Sequence, residues 1–313
     1  MKKLKFLVTG GAGFIGSNIA KELLNRGYKV RILDNFSTGK IENIKPILKD
    51  IELVRGDIRK EKDLKKALRG IDYVFHEAAL RSVPRSVDDP LSTNEVNVTG
   101  TLKLLMASRD AGVKRVVYAS SSSAYGDSKL IPQNENHKTS PISPYATAKL
   151  AAENYMQVFA KTFGLETVSL RYFNVFGPGQ NPESKYSAVI PKFIELAVKN
   201  QTIEIHGDGR QSRDFSYIDN VVSANILAAL TPGVSGQVFN IACGDSSAVI
   251  DIVKVLEEIL KRKLKVVHTP ARAGDVRKTK ADIAKARKLL HYKPLTNFKE
   301  GMHKTFQWFT EKR

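Results

Sequence analysis

Short runs of apolar, often β-branched residues alternate in the first half of the chain with stretches where apolar residues recur every three or four positions. Residues 4–9 read as a buried strand, and residues 14–25 keep the helical period and stop just before Gly27. Residues 29–34 predict a second strand. Residues 51–55, 73–76, 114–119 and 167–170 repeat the pattern, with helix-like segments between them. Near-continuous apolar strands separated by helices predict an α/β fold with a parallel sheet covered on both faces. Parallel neighbours need crossovers, and crossovers are right-handed, so the expected architecture is doubly wound, with a smaller α/β domain added to it.

The texture changes after Arg171. Residues 174–187 are rich in Gly, Pro and Asn and predict loop. Residues 188–199 and 220–230 look helical, 237–242 is another β-type run, and 297–309 predicts a last helix with Trp308 on its apolar side. There is no internal repeat and no low-complexity linker, so the second half reads as a smaller domain packed on the first.

Composition narrows the function classes. At 42% hydrophobic and 26% charged residues, the 313-residue chain is too apolar for a disordered one. A single cysteine, Cys243, rules out an intramolecular disulfide and a cysteine zinc cluster. The six histidines form no H-x-x-H pair, so no metal site is expected, and His76, inside an apolar run, reads as structural. Fifty Lys and Arg against 32 Asp and Glu give a net charge of +18. That charge suits either a nucleic-acid surface or a solvated basic surface around a site for an acidic small molecule. The clusters at Lys60, Lys62, Lys65, Lys66 and Arg69, and at Lys261, Arg262, Lys263 and Lys265, lack interleaved aromatics, which favours the second reading. No run of 18 apolar residues exists, and the N-terminal apolar run ends early, at Gly10. The expectation is a cytoplasmic protein with no membrane span.

The first strand leads into Gly10, Gly13 and Gly16 in a G-x-x-G-x-x-G spacing that opens the first helix. Glycines there permit a tight turn and let backbone N–H groups approach a pyrophosphate at the helix N-terminus. Asp34 ends the second strand, 18 residues past Gly16. A carboxylate at that point binds a ribose 2′-hydroxyl and repels a 2′-phosphate, which predicts NAD over NADP. Asp57 and Ile58, after the third strand, are candidates for the adenine edge. Ala78 and Ala79, after the fourth, are small enough for the backbone to pass close to a cofactor.

Tyr145 and Lys149 stand in a Y-x-x-x-K spacing at a helix start, behind Pro144. Residues i and i+4 share a face, which brings an ammonium near a phenol. A free tyrosine titrates near ~10, so acting as a base near neutrality requires a drop of roughly 3 units, about 4 kcal/mol. A lysine together with a positive nicotinamide ring in a partly dry cleft could supply it. Ser120, Ser121, Ser122 and Ser123 follow the fifth strand at its carboxyl end, where such sheets bind ligands, and a hydroxyl there can pass a proton between substrate and tyrosine.

With these residues placed, the chain resembles the extended short-chain dehydrogenase/reductases, and within them the UDP-hexose 4-epimerases, especially those acting on UDP-N-acetylhexosamines. The resemblance covers nearly the whole chain. It rests on T-G-G-A-G-F-I-G (9–16), S-V-P-R-S (82–86), N-V-T-G-T (97–101), S-P-Y-A-T-A-K (143–149), R-Y-F-N-V-F-G (171–177), A-V-I-P (188–191), S-R-D-F-S-Y-I-D-N-V (212–221) and R-A-G-D-V (272–276). It implies an NAD-binding Rossmann domain over 1–173, with part of 214–262 returning to it, and a domain over 174–313 that mainly binds a UDP-sugar. It further implies that Tyr145 is the base, that Lys149 holds the ribose and lowers the tyrosine pKa, and that Ser121 fills the catalytic Ser/Thr position. Phe14, Ile15, Asn35 and Tyr172 would join the cofactor site, and Asn97 would support the cofactor or the lysine. Arg81, Ser82, Ser122, Ser123, Asn174, Val189, Arg213, Arg272, Asp275 and Thr279 would face the substrate, the arginines because their planar fork suits a diphosphate. A homodimer through the helix after Asn97 and the helix carrying Lys149 is implied as well.

The implied reaction is inversion at C4 of UDP-Glc/UDP-Gal, and of UDP-GlcNAc/UDP-GalNAc, because Thr279 is small where a bulky residue in the family excludes an N-acetyl group. Nucleotide-sugar 4,6-dehydratases carry an acidic pair where this chain has Ser122 and Ser123, which disfavours dehydration. Two alternatives stand beside this reading. One is epimerisation or decarboxylation of UDP-glucuronate, with Arg81 or Arg85 meeting the C6 carboxylate. The other is a non-catalytic, basic Rossmann-fold RNA-binding protein, which the intact Ser121, Tyr145 and Lys149 set argues against.

Overall fold

The computed structural model describes residues 3–180, 188–271 and 277–311. Strand β1 (Lys5–Thr9), helix α1 (Phe14–Asn25) and β2 (Lys29–Asp34) follow the expected βαβ order. β3 (Ile51–Arg55), α2 (Glu61–Leu68) and β4 (Tyr73–His76) continue it. Two short helices, α3 (Val83–Asp88) and α4 (Pro90–Asn94), run through a π-helical turn at Glu95–Thr99 into α5 (Gly100–Asp110). Then come β5 (Arg115–Ser121), α6 (Pro144–Thr162), β6 (Glu166–Tyr172), α7 (Val189–Val198) and α8 (Ile218–Leu230).

The seven-stranded sheet has the order β3-β2-β1-β4-β5-β6, closed at the far edge by the strand Gln237–Ile241, and every pair is parallel. The order reverses between β1 and β4, which leaves a crevice at the strands' carboxyl ends. The pleat sends alternate residues to opposite faces. Phe6 and Val8 of β1 pack with Ile19 and Leu23 of α1 and Val221 of α8. Leu7, between them, packs with Leu64 and Leu68 of α2, Leu104 and Leu105 of α5, and Met156 of α6. Both faces are dry, which explains why these strands read as continuous apolar runs.

Three expectations need correction. The fifth strand does not stop at residue 119: Ser120 and Ser121 belong to it, pairing with Arg171 and Tyr172 of β6. The ladder overrides the polar composition, and only Ser122–Tyr125 leaves the strand, as a 3-10 turn. The predicted loop 174–187 contains a two-residue strand, Val175–Phe176, paired with Ser216–Tyr217, while 181–187 lie outside the described residues. The last helix runs Phe298–Glu311, with Met302 and Thr305 fully buried and Trp308 half-buried, edge-on to Phe309.

The chain beyond β6 builds a smaller layer. Ile203–His206 pairs with Val266–Thr269, and α7 packs on the helix Val249–Leu260. It returns to the main sheet through α8 and Gln237–Ile241. Among the described residues no helix is long and apolar enough to cross a membrane, and no three His, Cys, Asp or Glu side chains gather as a metal site.

Candidate active site

The glycine loop turns sharply because Gly10 sits at φ +65°, with its N–H bonded to the Leu33 carbonyl. A side chain is excluded at two of its positions. A Cβ on Gly10 would lie 2.7 Å from the Ala78 nitrogen, and one on Gly16 would lie 2.4 Å from the Gly10 oxygen. Gly13 caps α1 without any side-chain acceptor, so the first N–H groups of the helix, at Phe14, Ile15 and Gly16, face outward uncapped. That is an anion site by construction.

Asp34 is buried at the tip of β2. It accepts from Ala12 N (2.9 Å) and Phe36 N (2.8 Å), while burial pushes its carboxyl up. Asn35 donates to Asp57 (3.0 Å). Arg59 grips the same carboxylate (2.7 Å) and holds it well below the usual range. Ile58 is buried against Gly100. Ala78 donates to Thr9 Oγ1 (3.3 Å), which draws the loop after β4 against the glycine turn. Asn97, buried, engages Leu80 with both ends of its amide (2.8 and 2.9 Å); it fixes that loop and makes no bond to Lys149. Glycine loop, Asp34 and the loop after β4 thus border one crevice.

Local chemistry also fixes the tyrosine. Ser143 caps α6 by accepting from Ala146 N (3.2 Å), Pro144 holds the first turn, and Tyr145 N donates to Ser86 Oγ (3.1 Å). The Tyr145 phenol stands near enough to Ser121, at the end of β5, for that hydroxyl to act on it. Burial pushes this phenol up, while the Ser121 hydroxyl and the Arg81 charge pull it down. Arg81 is thus a protein cation that acts on the phenol. Ser123 donates its hydroxyl to Ser121 Oγ (2.8 Å), so the serines form a short polar relay. Lys149 is almost wholly buried, donates to the Ala119 carbonyl (2.7 Å), and lies 4.9 Å from the Tyr118 ring centre. Burial pulls its ammonium down to about 8.

Further along, Asn174 sits at φ +33° and donates to the Asp214 carbonyl (3.2 Å) and toward Thr279 Oγ1 (3.4 Å). Asp214 accepts from Cys243 N, Gly244 N and Ala281 N, which ties together the segments bearing Arg213 and Thr279. Arg213 donates to the Ser212 carbonyl (3.0 Å), and Val189 opens α7. Ser82, at φ +106°, caps α3 by accepting from Arg85 N (3.3 Å). Ser122 begins the turn after β5. Arg272 and Asp275 lie outside the described residues.

Sequence reasoning missed Glu77. It follows β4 directly, and the Tyr172 phenol donates to its Oε1 (2.9 Å). Asn225 of α8 donates to the same phenol oxygen (2.8 Å). The available signal was a lone carboxylate adjoining the apolar run 73–76.

The profile of the NAD dependent epimerase/dehydratase family matches residues 6–242. The UDP-glucose 4-epimerase of Mycolicibacterium smegmatis is 36% identical, with 99% of each chain covered. The solved UDP-N-acetylglucosamine 4-epimerase of Methanobrevibacter ruminantium, in complex with UDP-N-acetylmuramic acid, is 40% identical over all of both chains, with a TM-score of 0.95. The Thermus thermophilus UDP-glucose 4-epimerase, solved with NAD, is 34% identical over 98% of this chain and 99% of that one, with a TM-score of 0.89.

Proposed function

The chain belongs to the NAD dependent epimerase/dehydratase family, and from that premise we propose that it inverts C4 of a UDP-linked hexose. The observation that supports this reading is the Ser121 hydroxyl acting on the Tyr145 phenol at the sheet's carboxyl edge, with Lys149 one helical turn further along α6, buried and bonded to the Ala119 carbonyl.

The crevice suits NAD. Gly10, Gly13, Phe14, Ile15 and Gly16 offer a side-chain-free cradle and uncapped N–H groups for a pyrophosphate. Asp34 stands ready for a ribose, with Asn35, Asp57, Ile58, Ala78, Ala79, Asn97 and Tyr172 forming the walls. NAD held in this cradle would supply a reversible acceptor for the C4 hydride. Tyr145 receives the proton of the 4-hydroxyl, directly or through Ser121, and returns it when the other epimer forms. Lys149 stays an ammonium to hold the ribose and keep the phenolate anionic. Asn174, Val189, Arg213, Arg272 and Asp275 anchor the UDP, so that the oxidised sugar can turn over and offer its opposite face. No net oxidation results. The small Thr279 beside Asn174 leaves space for an acetamido group, so UDP-GlcNAc/UDP-GalNAc and UDP-Glc/UDP-Gal are both substrates.

Arg81 favours one second reading: its charge, beside Tyr145, can also meet a C6 carboxylate, which makes UDP-glucuronate a candidate. Incubation with each UDP-sugar, followed by separation of the C4 epimers, decides. Conversion of the neutral hexoses supports the first reading. Conversion of UDP-glucuronate alone moves the assignment to the second, and no epimer from any of them refutes both.

The active form is a homodimer. Met106 of α5 and Tyr155 and Val158 of α6 are exposed apolar residues on the two helices expected to pair with a second copy. Sedimentation at micromolar concentration tests this, and a monomer with full activity refutes it.

A further inference from the structure

Glu77 is a half-buried carboxylate near the proposed site that the mechanism above leaves unused. It leaves β4 directly after His76, its backbone N–H bonded to the Thr9 carbonyl (3.2 Å). Its carboxylate is held by the Tyr172 phenol at 2.9 Å. Asn225 of α8 donates to that phenol oxygen at 2.8 Å and its Oδ1 lies 3.1 Å from it, so Glu77 is the nearer of the two acceptors open to the single phenolic proton. The side chain is thus held from β6, and its anchor from α8.

Lys149 needs what Glu77 offers. The Ala119 carbonyl and the Tyr118 ring are its neutral neighbours, and both are weak compensation for a charge taken out of water. The register pairs His76 of β4 with Tyr118 of β5, so Glu77 leaves β4 level with Ala119, whose carbonyl Lys149 engages, and the charges of Glu77 and Lys149 act on each other. The other ionisable groups around the pair are His76 on β4, Tyr118 on β5, Tyr145 and Glu153 on α6, Tyr172 on β6, and Arg81 in the loop after β4. His76 is held neutral by burial, and α8 contributes only the neutral Asn225.

We infer that Glu77 is a positioning residue for the reaction: it is the counter-charge that keeps Lys149 an ammonium, and Tyr172 holds it in place. This rests on the assignment of Tyr145 and Lys149 above. Burial pushes the Glu77 carboxyl up and pulls the Lys149 ammonium down, so each charge is the other's compensation. Glu77 acts on both partners of the proton transfer with one sign. Its negative charge raises Lys149, which must be protonated, and raises Tyr145, which must be deprotonated. Removing it lowers both.

The test compares Glu77→Gln, Glu77→Asp, Tyr172→Phe and Tyr145→Phe in the NAD-loaded enzyme. In Glu77→Gln both limbs of the kcat–pH profile move to lower pH, because the acid limb reports the phenol and the alkaline limb the ammonium. Glu77→Asp, which keeps the charge, restores the wild-type limbs. Tyr172→Phe removes the bond that holds Glu77 ionised, so it shifts the limbs in the same direction. It keeps the question open to refutation if Glu77→Gln fails to fold. A second readout needs neither turnover nor cofactor. In protein carrying carbon-13-labelled tyrosine, the Tyr145 resonance, identified by its loss in Tyr145→Phe, titrates at lower pH in Glu77→Gln. A fall in rate with unmoved limbs and an unmoved resonance makes Glu77 merely structural and overturns the inference. A Tyr145→Phe variant that still epimerises overturns instead the reading on which it rests.

Discussion

Glu153 and Arg171 form an ion pair sealed between α6 and β6, at 2.6 Å from Nη2 to Oε1 and 3.0 Å from Nε to Oε2. Their side chains are 1% and 5% exposed, so solvent does not screen them. Ser120 donates to Glu153 at 2.6 Å, and the Arg171 guanidinium lies 4.7 Å from the Tyr125 ring centre. Glu153 is one helical turn beyond Lys149 and two beyond Tyr145. The pair thus pins the helix that carries the proposed base to the sheet that carries Ser121.

Breaking this pair from one side leaves a buried charge uncompensated. Arg171→Met is expected to cost about 3–5 kcal/mol of stability. The double variant Glu153→Met/Arg171→Met should recover most of that loss, since two apolar side chains of similar volume remove both charges. Denaturant unfolding of the four proteins measures the cycle. A double variant as unstable as the single one would mean that shape, not charge, decides here.

His76 gives the protein an acid-sensitive stability. Thr101 donates its hydroxyl to the Asn97 carbonyl (2.7 Å), so its oxygen is free to accept from His76 Nε2 (2.9 Å). Thr9 then donates to Nδ1 (2.8 Å), and the ring is neutral by construction. Burial holds its pKa down to about 3, against 6.5 in an unfolded chain. Above 6.5 both states are neutral and this contribution is fully present. Below it the unfolded chain binds a proton that the folded one refuses, so stability falls by about 1.4 kcal/mol per pH unit until the pH nears 3. Relative to His76→Gln, the wild type should therefore lose about 2 kcal/mol more between pH 6.5 and 5. Equal losses in unfolding experiments at the two pH values would contradict a neutral His76.

What the sequence made legible is what local pattern controls. The helix 14–25 and the strand 29–34 match their observed bounds, because their periodicity and the glycine after the helix are local signals. Tyr145 and Lys149 could be proposed because an i, i+4 spacing is readable from sequence, and Ser120–Ser123 because the run follows a strand; the family resemblance singled out Ser121. Glu77 was not readable in the same way. Its partner Tyr172 stands 95 residues away, and that phenol's second partner, Asn225, a further 53. The two extra strand residues at Ser120 and Ser121 were missed for a similar reason, since only the pairing with β6 makes serines extend a buried strand. The role of Asn97 was also hidden, because its spatial partner is the Leu80 backbone, met only once β4 and the π-helical turn are packed together.

Asp34 should set the choice of dinucleotide. Wild type is expected to bind NAD more tightly than NADP, because a 2′-phosphate would meet a carboxylate fixed by Ala12 N and Phe36 N. Asp34→Asn removes that repulsion and one charge-assisted bond to the ribose. NAD affinity should fall about 10- to 100-fold, and the gap between the two cofactors should narrow. Calorimetric titration of both dinucleotides into both proteins gives the four constants. Tighter binding of NADP to the wild type would refute the assignment.

Thr279 should govern the acetylated substrates. Its hydroxyl sits 3.4 Å from both Asn174 Nδ2 and Asp214 N, which sets it beside one of the residues proposed to hold the UDP, on the segment that Asp214 anchors. Thr279→Tyr would put a ring where an acetamido group is proposed to lie, while leaving the unacetylated hexose its space. The ratio of kcat/KM for UDP-GlcNAc to that for UDP-Glc should fall about 10- to 200-fold, the range a misfitting group in a shaped pocket produces. Thr279→Val, which keeps the volume and removes only the hydroxyl, separates size from hydrogen bonding and should leave the ratio near that of wild type. If the tyrosine lowers both substrates equally, residue 279 supports the loop and does not line the pocket, and the space for the acetyl group must then be sought among Ser82, Ser122 and Ser123.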